Sequence, residues 1–265
     1  MRSPGDSFFR LDGRIAFVSG AAGHLGRAMS LALAHAGAHV ILNGRNKDRL
    51  EALRSDMEST GCSVECAAFD VSDFSTVREF FSARPRLDVL VNNAIAMTPA
   101  PMLSVEPSLF DETYRSCVVA AFESVRAAHL ALQTAAREMG DASVVNIASM
   151  YATVAPDART YSNPGQASPP HYGPAKAALI QLTRHLAAEL GPARIRVNAL
   201  APGPFPRPAV TDTDPEFAAR LAAKTLLRRT GDANEIAGPL LFLASPASSF
   251  VTGATIAVDG GWTAW

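Results

Sequence analysis

Near its N-terminus the chain reads Ile15-Ala16-Phe17-Val18-Ser19-Gly20-Ala21-Ala22-Gly23-His24-Leu25-Gly26. The first four residues are an apolar run typical of a buried strand, and the pattern from Gly26 to Ala36 predicts a helix. A glycine-rich turn at a helix N-terminus presents backbone N–H groups and the positive end of the helix dipole to an anion. We therefore predict a phosphate-binding turn that includes Gly20, Gly23, His24, Leu25 and Gly26. An ordinary tight turn is the alternative interpretation of this motif taken alone.

Strand and helix patterns alternate along the rest of the chain. Further apolar runs predict strands at His39–Leu42, Ser63–Phe69, Asp88–Val91, Ser143–Ile147, Arg194–Leu200 and Ala254–Val258. Helices are predicted between them, the longest at Ser108–Ala136 and Tyr172–Leu190. Apolar strands separated by helices indicate a parallel sheet covered on both faces. The sequence therefore predicts an α/β fold, a single-domain doubly wound parallel sheet, with ligands bound at the carboxyl ends of the strands.

The bulk composition limits the classes of partner. The 265 residues are 48% hydrophobic and carry a formal charge of −1, so no net field recruits nucleic acid or an anionic membrane. No apolar run approaches the length of a membrane span, and residues 1–10 lack the apolar core of a signal peptide. Cys62, Cys66 and Cys117 form neither a disulfide framework nor a complete metal site. We expect a cytoplasmic protein that binds no metal.

Polar residues at the strand ends extend the anion site toward a dinucleotide. The predicted cofactor contacts there are Asn43, Arg45, Asp70, Val71, Asn93 and Ala94. The position of Asn43 is where an acidic residue would bind the ribose 2′-hydroxyl of NAD, and Arg45 instead suits the 2′-phosphate of NADP. Asp70 ends the third strand, where it can contact the adenine. These residues favour NADP, with NAD as the alternative.

A candidate acid–base pair opens the helix Tyr172–Leu190. Tyr172 and Lys176 are four residues apart and therefore share one helical face. Of the four tyrosines, Tyr172 is the one with a lysine at this spacing. An ammonium group beside a phenol stabilises the phenolate, so the phenol can protonate the alkoxide that develops when a carbonyl is reduced by hydride. A chance surface pair is the alternative.

Ser149 follows the strand Ser143–Ile147 and offers a hydroxyl to the substrate oxygen. The residues around it lack the G-x-S-x-G elbow of a hydrolase nucleophile. A serine that only caps a loop is the alternative interpretation.

Together these motifs, in this order, resemble the short-chain dehydrogenase/reductase family. The resemblance runs from Leu11 to Gly261 and rests on Ser19–Gly26, Asn92-Asn93-Ala94, Ser149, Tyr172 with Lys176, and Asn198–Gly203. It implies that Tyr172, Lys176 and Ser149 are catalytic, and that Tyr172 and Lys176 also contact the cofactor. It implies as well that Pro202, Gly203 and Phe205 lie against the nicotinamide. Family members act on small carbonyl or alcohol substrates, and a homodimer or homotetramer is expected.

The chain departs from the family pattern at four points. His24 stands where the second glycine is usual, and Ile95 replaces the glycine after Asn-Asn-Ala. Arg207 lies near the position of a threonine that usually follows Pro-Gly. Cys117 replaces an asparagine that supports the proton-relay water, and a thiol is a weaker hydrogen-bond partner. A dinucleotide-binding, non-catalytic homologue therefore stays open as an alternative.

Residues 150–171, between Ser149 and Tyr172, form an insertion longer than the family's common connection. With the ending Gly261-Trp262-Thr263-Ala264-Trp265, it resembles gluconate 5-dehydrogenase-like and other sugar-modifying members. Its polar side chains, which can bind hydroxyl groups, are Asp157, Arg159, Asn163, Gln166 and His171. Arg159 can also pair with a carboxylate, as can Arg207 from the opposite wall.

These residues predict a polar substrate, a ketone of the keto-sugar-acid or polyol type. The predicted substrate contacts are Ser149, Tyr151, Arg159 and Arg207. Residues 204–228 are predicted to form a substrate lid. The apolar side chains of that lid, Phe217, Leu221, Leu226 and Leu227, leave a 3-oxoacyl or other apolar ketone as the alternative substrate.

Overall fold

The structure is a computed structural model that describes residues 8–161 and 167–265. Within these residues the strands are β1 (Ile15–Val18), β2 (His39–Gly44), β3 (Val64–Ala68), β4 (Val89–Asn92), β5 (Ala142–Ile147), β6 (Ile195–Pro202) and β7 (Thr255–Val258). They form one parallel sheet in the order β3-β2-β1-β4-β5-β6-β7. The order reverses beside β1, between β1 and β4, which places a ligand crevice at their carboxyl ends. The predicted doubly wound parallel sheet is confirmed.

Helices cover both faces of the sheet. Their bounds are α1 (His24–His35), α2 (Lys47–Glu58), α3 (Phe74–Ser82), α4 (Pro107–Tyr114), α5 (Ala120–Met139), α6 (Tyr172–Leu190), α7 (Pro208–Thr213), α8 (Pro215–Ala223) and α9 (Ala237–Ala244). Successive side chains of a strand point to opposite faces. Val18 accordingly packs in a core with α1, α2 and α9, whereas Phe17 packs in a second core with α3, α5 and α6.

The helix predicted over Ser108–Ala136 is not a uniform α-helix. A π-helical turn at Arg115–Val119 separates α4 from α5, and the backbone N–H of Ala120 donates to the carbonyl of Arg115. Such a turn inserts one residue into the helix, and π turns are often found at functional sites. Cys117 lies in the middle of this turn and is buried. Hydrophobic periodicity does not reveal a one-residue insertion of this kind.

Candidate active site

The glycine-rich turn is closely packed against its own backbone. Gly20 has a φ of +64°, and a Cβ atom there would lie 3.0 Å from Asn93 Nδ2. A Cβ at Gly26 would lie 2.1 Å from the carbonyl oxygen of Gly20. Helix α1 begins at His24 without a side-chain cap, so no capping side chain occupies its first N–H groups, and His24, Leu25 and Gly26 line the cleft. A cradle that excludes side chains fits the pyrophosphate of a dinucleotide.

Hydrogen bonds fix this turn to the loop after β4. Ser19 Oγ accepts the backbone N–H of Asn93 at 2.9 Å and that of Ala94 at 3.0 Å. The side-chain amide of Asn93 donates to the carbonyl of Ser19 at 2.9 Å and to that of Gly20 at 3.2 Å. Asn93 therefore shapes the phosphate turn through its side chain, in addition to lining the cleft.

A cleft of roughly 460 Å³ runs along the carboxyl ends of the strands. The predicted site residues that line it are Gly20, Gly23, His24, Leu25, Gly26, Asn43, Arg45, Asp70, Val71, Asn93, Ala94, Ser149, Tyr172, Lys176, Pro202, Gly203, Phe205 and Arg207. Sequence reasoning missed several other lining residues, among them Ile95, Ala96 and Ser116. The structure thus brings the cofactor and catalytic candidates into one continuous space, while their roles stay predictions.

Arg45 and Asp70 face each other at one end of the cleft. Arg45 Nη1 lies 3.8 Å from Asp70 Oδ2, and the Arg45 side chain is 70% exposed. Asp70 Oδ1 accepts the backbone N–H of Ser72 at 2.8 Å. A long pair at an exposed site is weak, so the Arg45 guanidinium can turn to a better anionic partner.

Asn43 is buried at the same end of the cleft. Its side-chain amide donates to the carbonyls of Ala67, at 2.9 Å, and Phe69, at 3.2 Å. The Nδ2 group of Asn43 therefore braces β2 against β3, while Oδ1 has no hydrogen-bond partner among the described residues, and the cofactor contact of Asn43 stays a prediction.

The catalytic candidates lie at the opposite end. Tyr172 is the first residue of α6, and Lys176, one turn later, is 3% exposed. Lys176 Nζ donates to the carbonyl of Ile147, the last residue of β5, at 2.6 Å and lies 5.8 Å from the centroid of the Tyr172 ring. Ser149 is buried two residues after β5. The end of β5 therefore positions both Lys176 and Ser149 beside Tyr172.

Gly173 is a residue of this site that sequence reasoning missed. A Cβ atom on it would lie 2.8 Å from the carbonyl oxygen of Tyr151. The first turn of α6 thus packs directly on the backbone that follows Ser149, which fixes Tyr172 relative to Ser149. A glycine inside a helix costs about 1 kcal/mol relative to alanine, and that cost was the available signal.

The two predicted substrate arginines, Arg159 and Arg207, are placed differently from each other. Arg207 is exposed, precedes α7 and lines the cleft beside Phe205. Arg159 is 90% exposed and lies outside the residues that line the cleft. Its Nη2 donates to Asp157 Oδ2 at 2.9 Å and its Nε donates to Asp157 Oδ1 at 3.0 Å. Arg159 therefore lies away from the cleft lining and pairs with a carboxylate two residues away, and its contact with substrate stays a prediction.

Tyr151 also lies outside the lining of the cleft and contacts a separate pocket beside the Pro-rich segment. Its hydroxyl is 2.9 Å from the hydroxyl of Tyr161, and its ring meets Trp262 edge to face. Burial, together with the hydrogen bond to Tyr161, raises the pKa of the Tyr151 phenol. Tyr151 therefore packs against Tyr161 and Trp262, and its contact with substrate stays a prediction.

Among the described residues of the insertion, His171 is not part of the cleft lining either. His171 is fully buried, so it does not bind a substrate hydroxyl as predicted. Asn163 and Gln166 lie outside the described residues.

The predicted lid is fastened to the insertion. Arg220 Nε donates to the carbonyl of Thr160 at 2.8 Å, and the ring of Phe217 lies 5.5 Å from that of Tyr161. Lys224 Nζ lies 2.6 Å from Asp157 Oδ2. Hydrogen bonds from Arg159 and Lys224 hold the pKa of Asp157 below its usual range. The predicted lid and the insertion are therefore joined to each other by these side-chain contacts.

Two further properties concern the described part of the chain as a whole. None of its helices is both long and apolar enough to span a membrane. Within residues 8–161 and 167–265, no three His, Cys, Asp or Glu side chains are grouped as metal ligands.

The fold and the cleft define a doubly wound α/β protein whose cleft is lined by the glycine-rich turn, a tyrosine and a lysine. A family model described as enoyl-(acyl carrier protein) reductase matches residues 20–263. Over 264 residues, 96% of each chain, the protein is 34% identical to gluconate 5-dehydrogenase from Gluconobacter oxydans. It is 32% identical to a 3-oxoacyl-(acyl-carrier-protein) reductase from Thermotoga maritima over 257 residues, 95% of this chain and 98% of that relative.

Among solved structures, a gluconate 5-dehydrogenase from Burkholderia cenocepacia, in complex with NADP and tartrate, superposes with a TM-score of 0.86 at 31% identity. The match covers 98% of this chain and 99% of that one. The chain belongs to the short-chain dehydrogenase/reductase family of oxidoreductases, and within it the chain is similar to gluconate 5-dehydrogenases, as the predicted resemblance implied.

Proposed function

We propose that the protein is an NADP(H)-dependent oxidoreductase that interconverts a polar ketone, of the keto-sugar-acid or polyol type, and its secondary alcohol. The observation that carries the proposal is the single cleft shared by the glycine turn, Arg45, Tyr172, Lys176 and Arg207. The similarity to gluconate 5-dehydrogenases supports the same substrate class.

When bound, the nicotinamide supplies the hydride that reaches the carbonyl carbon. The Ser149 hydroxyl donates a hydrogen bond to the carbonyl oxygen and polarises it. The Tyr172 hydroxyl gives its proton to the same oxygen as negative charge develops there. The ammonium group of Lys176 stabilises the phenolate that remains, and in the reverse direction the phenolate takes the proton back from the alcohol.

Arg45 supports NADP as the cofactor, and the Burkholderia relative was crystallised with NADP. We expect Arg45→Ala to raise the KM for NADPH about tenfold or more, because it removes a charge-assisted hydrogen bond worth about 1.5–3 kcal/mol. The KM for NADH should change less than about twofold, since NADH has no 2′-phosphate. Steady-state kinetics with both cofactors measure this, with Arg27→Ala, an exposed arginine outside the cleft lining, as the control. A higher kcat/KM with NADH in the wild type would contradict the assignment.

Arg207 supports an anionic substrate because its exposed guanidinium lines the cleft beside Phe205, which is predicted to lie against the nicotinamide. We expect Arg207→Ala to raise the KM for a carboxylated keto-sugar about tenfold, at an unchanged Kd for NADPH. Arg159→Ala is the matched control and should leave both constants unchanged, because Arg159 pairs with Asp157. If Arg159→Ala raises the KM and Arg207→Ala does not, the carboxylate binds at the insertion, as the sequence predicted.

The 3-oxoacyl alternative rests on the apolar residues of the lid and on the Thermotoga relative. Leu221 is buried against Met150 and Trp262, and Phe217 packs on Tyr161. Leu226 and Leu227 line a different pocket, next to Gly261. Leu221 and Phe217 are therefore packed away from the cleft, which favours the polar substrate, whereas Leu226 and Leu227 are more than half exposed on a pocket that shares Phe205 with the cleft.

An exposed apolar strip that runs from the π-helical turn onto α5 supports a homo-oligomer. Val119, Phe122 and Leu130 are 40%, 40% and 75% exposed. Apolar side chains grouped on one helix face are suited to isologous packing against a second copy. We expect light scattering at micromolar concentration to give a dimer or tetramer mass, and Leu130→Glu to shift it toward the monomer. A monomeric wild type would contradict this expectation.

The function is tested by following NADPH oxidation with a panel of ketones. Keto-sugar acids should turn over, polyol-derived ketoses more slowly, and 3-oxoacyl thioesters least. If the protein binds NADPH but turns over none of the ketones, the non-catalytic homologue is favoured.

A further inference from the structure

His171 directly precedes Tyr172 and is fully buried although it is polar. Its ring lies edge to face on Phe110, with the centroids 5.7 Å apart. Both ring nitrogens have partners, since Nδ1 lies 2.9 Å from Thr113 Oγ1 and Nε2 lies 3.2 Å from the carbonyl oxygen of Thr98. A buried imidazole with both nitrogens engaged has a fixed orientation.

The chemistry of the Thr98 carbonyl assigns the direction of one hydrogen bond. A carbonyl can only accept, so Nε2 of His171 carries a proton and donates it. The Thr113 hydroxyl has two partners, since its Oγ1 lies 2.9 Å from Nδ1 of His171 and 3.3 Å from the carbonyl oxygen of Ala96, to which it can donate. Thr113 therefore connects His171 directly to Ala96.

These contacts join three segments that are distant in sequence. Thr98 belongs to the loop after β4, Thr113 to α4, and His171 to the start of α6. The same loop is also held at Ala96, whose backbone N–H donates to Ser116 Oγ at 3.0 Å. Because Ile95 and Ala96 line the cleft, the loop forms one wall of the site and Tyr172 another.

An ordinary capping role does not account for His171. The residue occupies the N-cap position of α6, yet its side chain makes no capping hydrogen bond to that helix. Its nitrogens instead reach Thr98 and Thr113, 73 and 58 residues away along the chain. The side chain therefore serves tertiary placement of the helix start and not the helix itself.

We propose that His171 is a positioning residue, which holds Tyr172 at a fixed distance from the loop wall at Ile95 and Ala96 through Thr98 and Thr113. The proposal rests on the proposed function, because it takes Tyr172 as the proton donor. Displacing a reacting group by about 1 Å can cost 10²-fold in rate, so the loss of both hydrogen bonds should appear in kcat.

Three substitutions separate positioning from packing. His171→Phe keeps an aromatic ring on Phe110 and removes both hydrogen bonds. His171→Gln restores an amide donor for the Thr98 carbonyl. Thr113→Val removes the partner of Nδ1 with little change in volume. His35→Phe is the control, because His35 is exposed at the end of α1 opposite the phosphate turn.

We expect His171→Phe to lower kcat for the best ketone at least about tenfold, with the KM for that ketone and the Kd for NADPH within about twofold of the wild type. His171→Gln should recover part of kcat. The double variant of His171→Phe and Thr113→Val should be less slowed than the product of the two single effects, because the two residues share one hydrogen bond. Amide hydrogen exchange in residues 94–98 should become faster in His171→Phe and stay unchanged in His35→Phe.

Unchanged kcat and unchanged exchange in His171→Phe would overturn the proposal, as would a lower melting temperature alone. If His171→Phe does not fold, His171→Gln and Thr113→Val decide by the same two measurements. A wild type that turns over no ketone would overturn the proposed function instead. The exchange measurement does not depend on turnover, so it still shows whether His171 holds the loop.

Discussion

Replacing Tyr172 by Phe should lower kcat at least about 10²-fold, because general acid–base catalysis contributes about 10² to 10⁴ and no other tyrosine lines the cleft among the described residues. The ring and its packing are retained in this variant, and only the hydroxyl that donates the proton is lost. The Kd for NADPH, followed by the change in dihydronicotinamide fluorescence, should stay within about fivefold of the wild type, since one uncharged hydrogen bond contributes about 1 kcal/mol. The measurement is single-turnover reduction of the best ketone.

Tyr114→Phe is the matched control, because Tyr114 ends α4 and does not line the cleft. It should keep wild-type kcat. If Tyr172→Phe keeps more than a few per cent of the wild-type rate, Tyr172 is not the acid–base group.

Gly26→Ala should abolish measurable binding of NADPH, with an affinity loss of at least about 100-fold. The added Cβ would lie 2.1 Å from the carbonyl oxygen of Gly20, and both groups belong to rigid backbone. The turn must therefore open, which displaces the N–H groups that bind the pyrophosphate. A fluorescence titration with NADPH measures the effect, and circular dichroism shows whether the fold persists.

Gly191→Ala is the control for this substitution. Gly191 has a φ of −53°, and a Cβ there meets no heavy atom within 4 Å. It should bind NADPH like the wild type. Binding by Gly26→Ala within about threefold of the wild type would show that the turn does not hold the phosphates.

The sheet and the site differ in how far the sequence predicted them. Apolar runs such as Ile15–Val18 are long enough to mark each strand, and alternation with helices then fixes a parallel sheet. The residues at the strand ends followed from the same reasoning, because carboxyl ends of parallel strands meet at one edge. Tyr172 and Lys176 were found by their spacing on one helix.

Contacts between distant segments were not predictable in this way. Arg159 was expected at the substrate, but the carboxylate of Asp157, two residues away, holds its guanidinium at the surface. His171 looked like a hydroxyl-binding residue of a polar loop. Its partners, Thr98 and Thr113, belong to other segments, and no local pattern connects them. The π-helical turn around Cys117 likewise depends on one backbone hydrogen bond that periodicity does not show.

The most direct test of the central claim is kcat/KM for NADPH-dependent reduction of three substrates by the wild-type protein. These are a keto-sugar acid, the corresponding uncharged keto-sugar and a 3-oxoacyl thioester. The proposed function predicts the highest kcat/KM for the acid, about tenfold above the uncharged sugar, because Arg207 pairs with its carboxylate. The highest kcat/KM with the acyl thioester would contradict it.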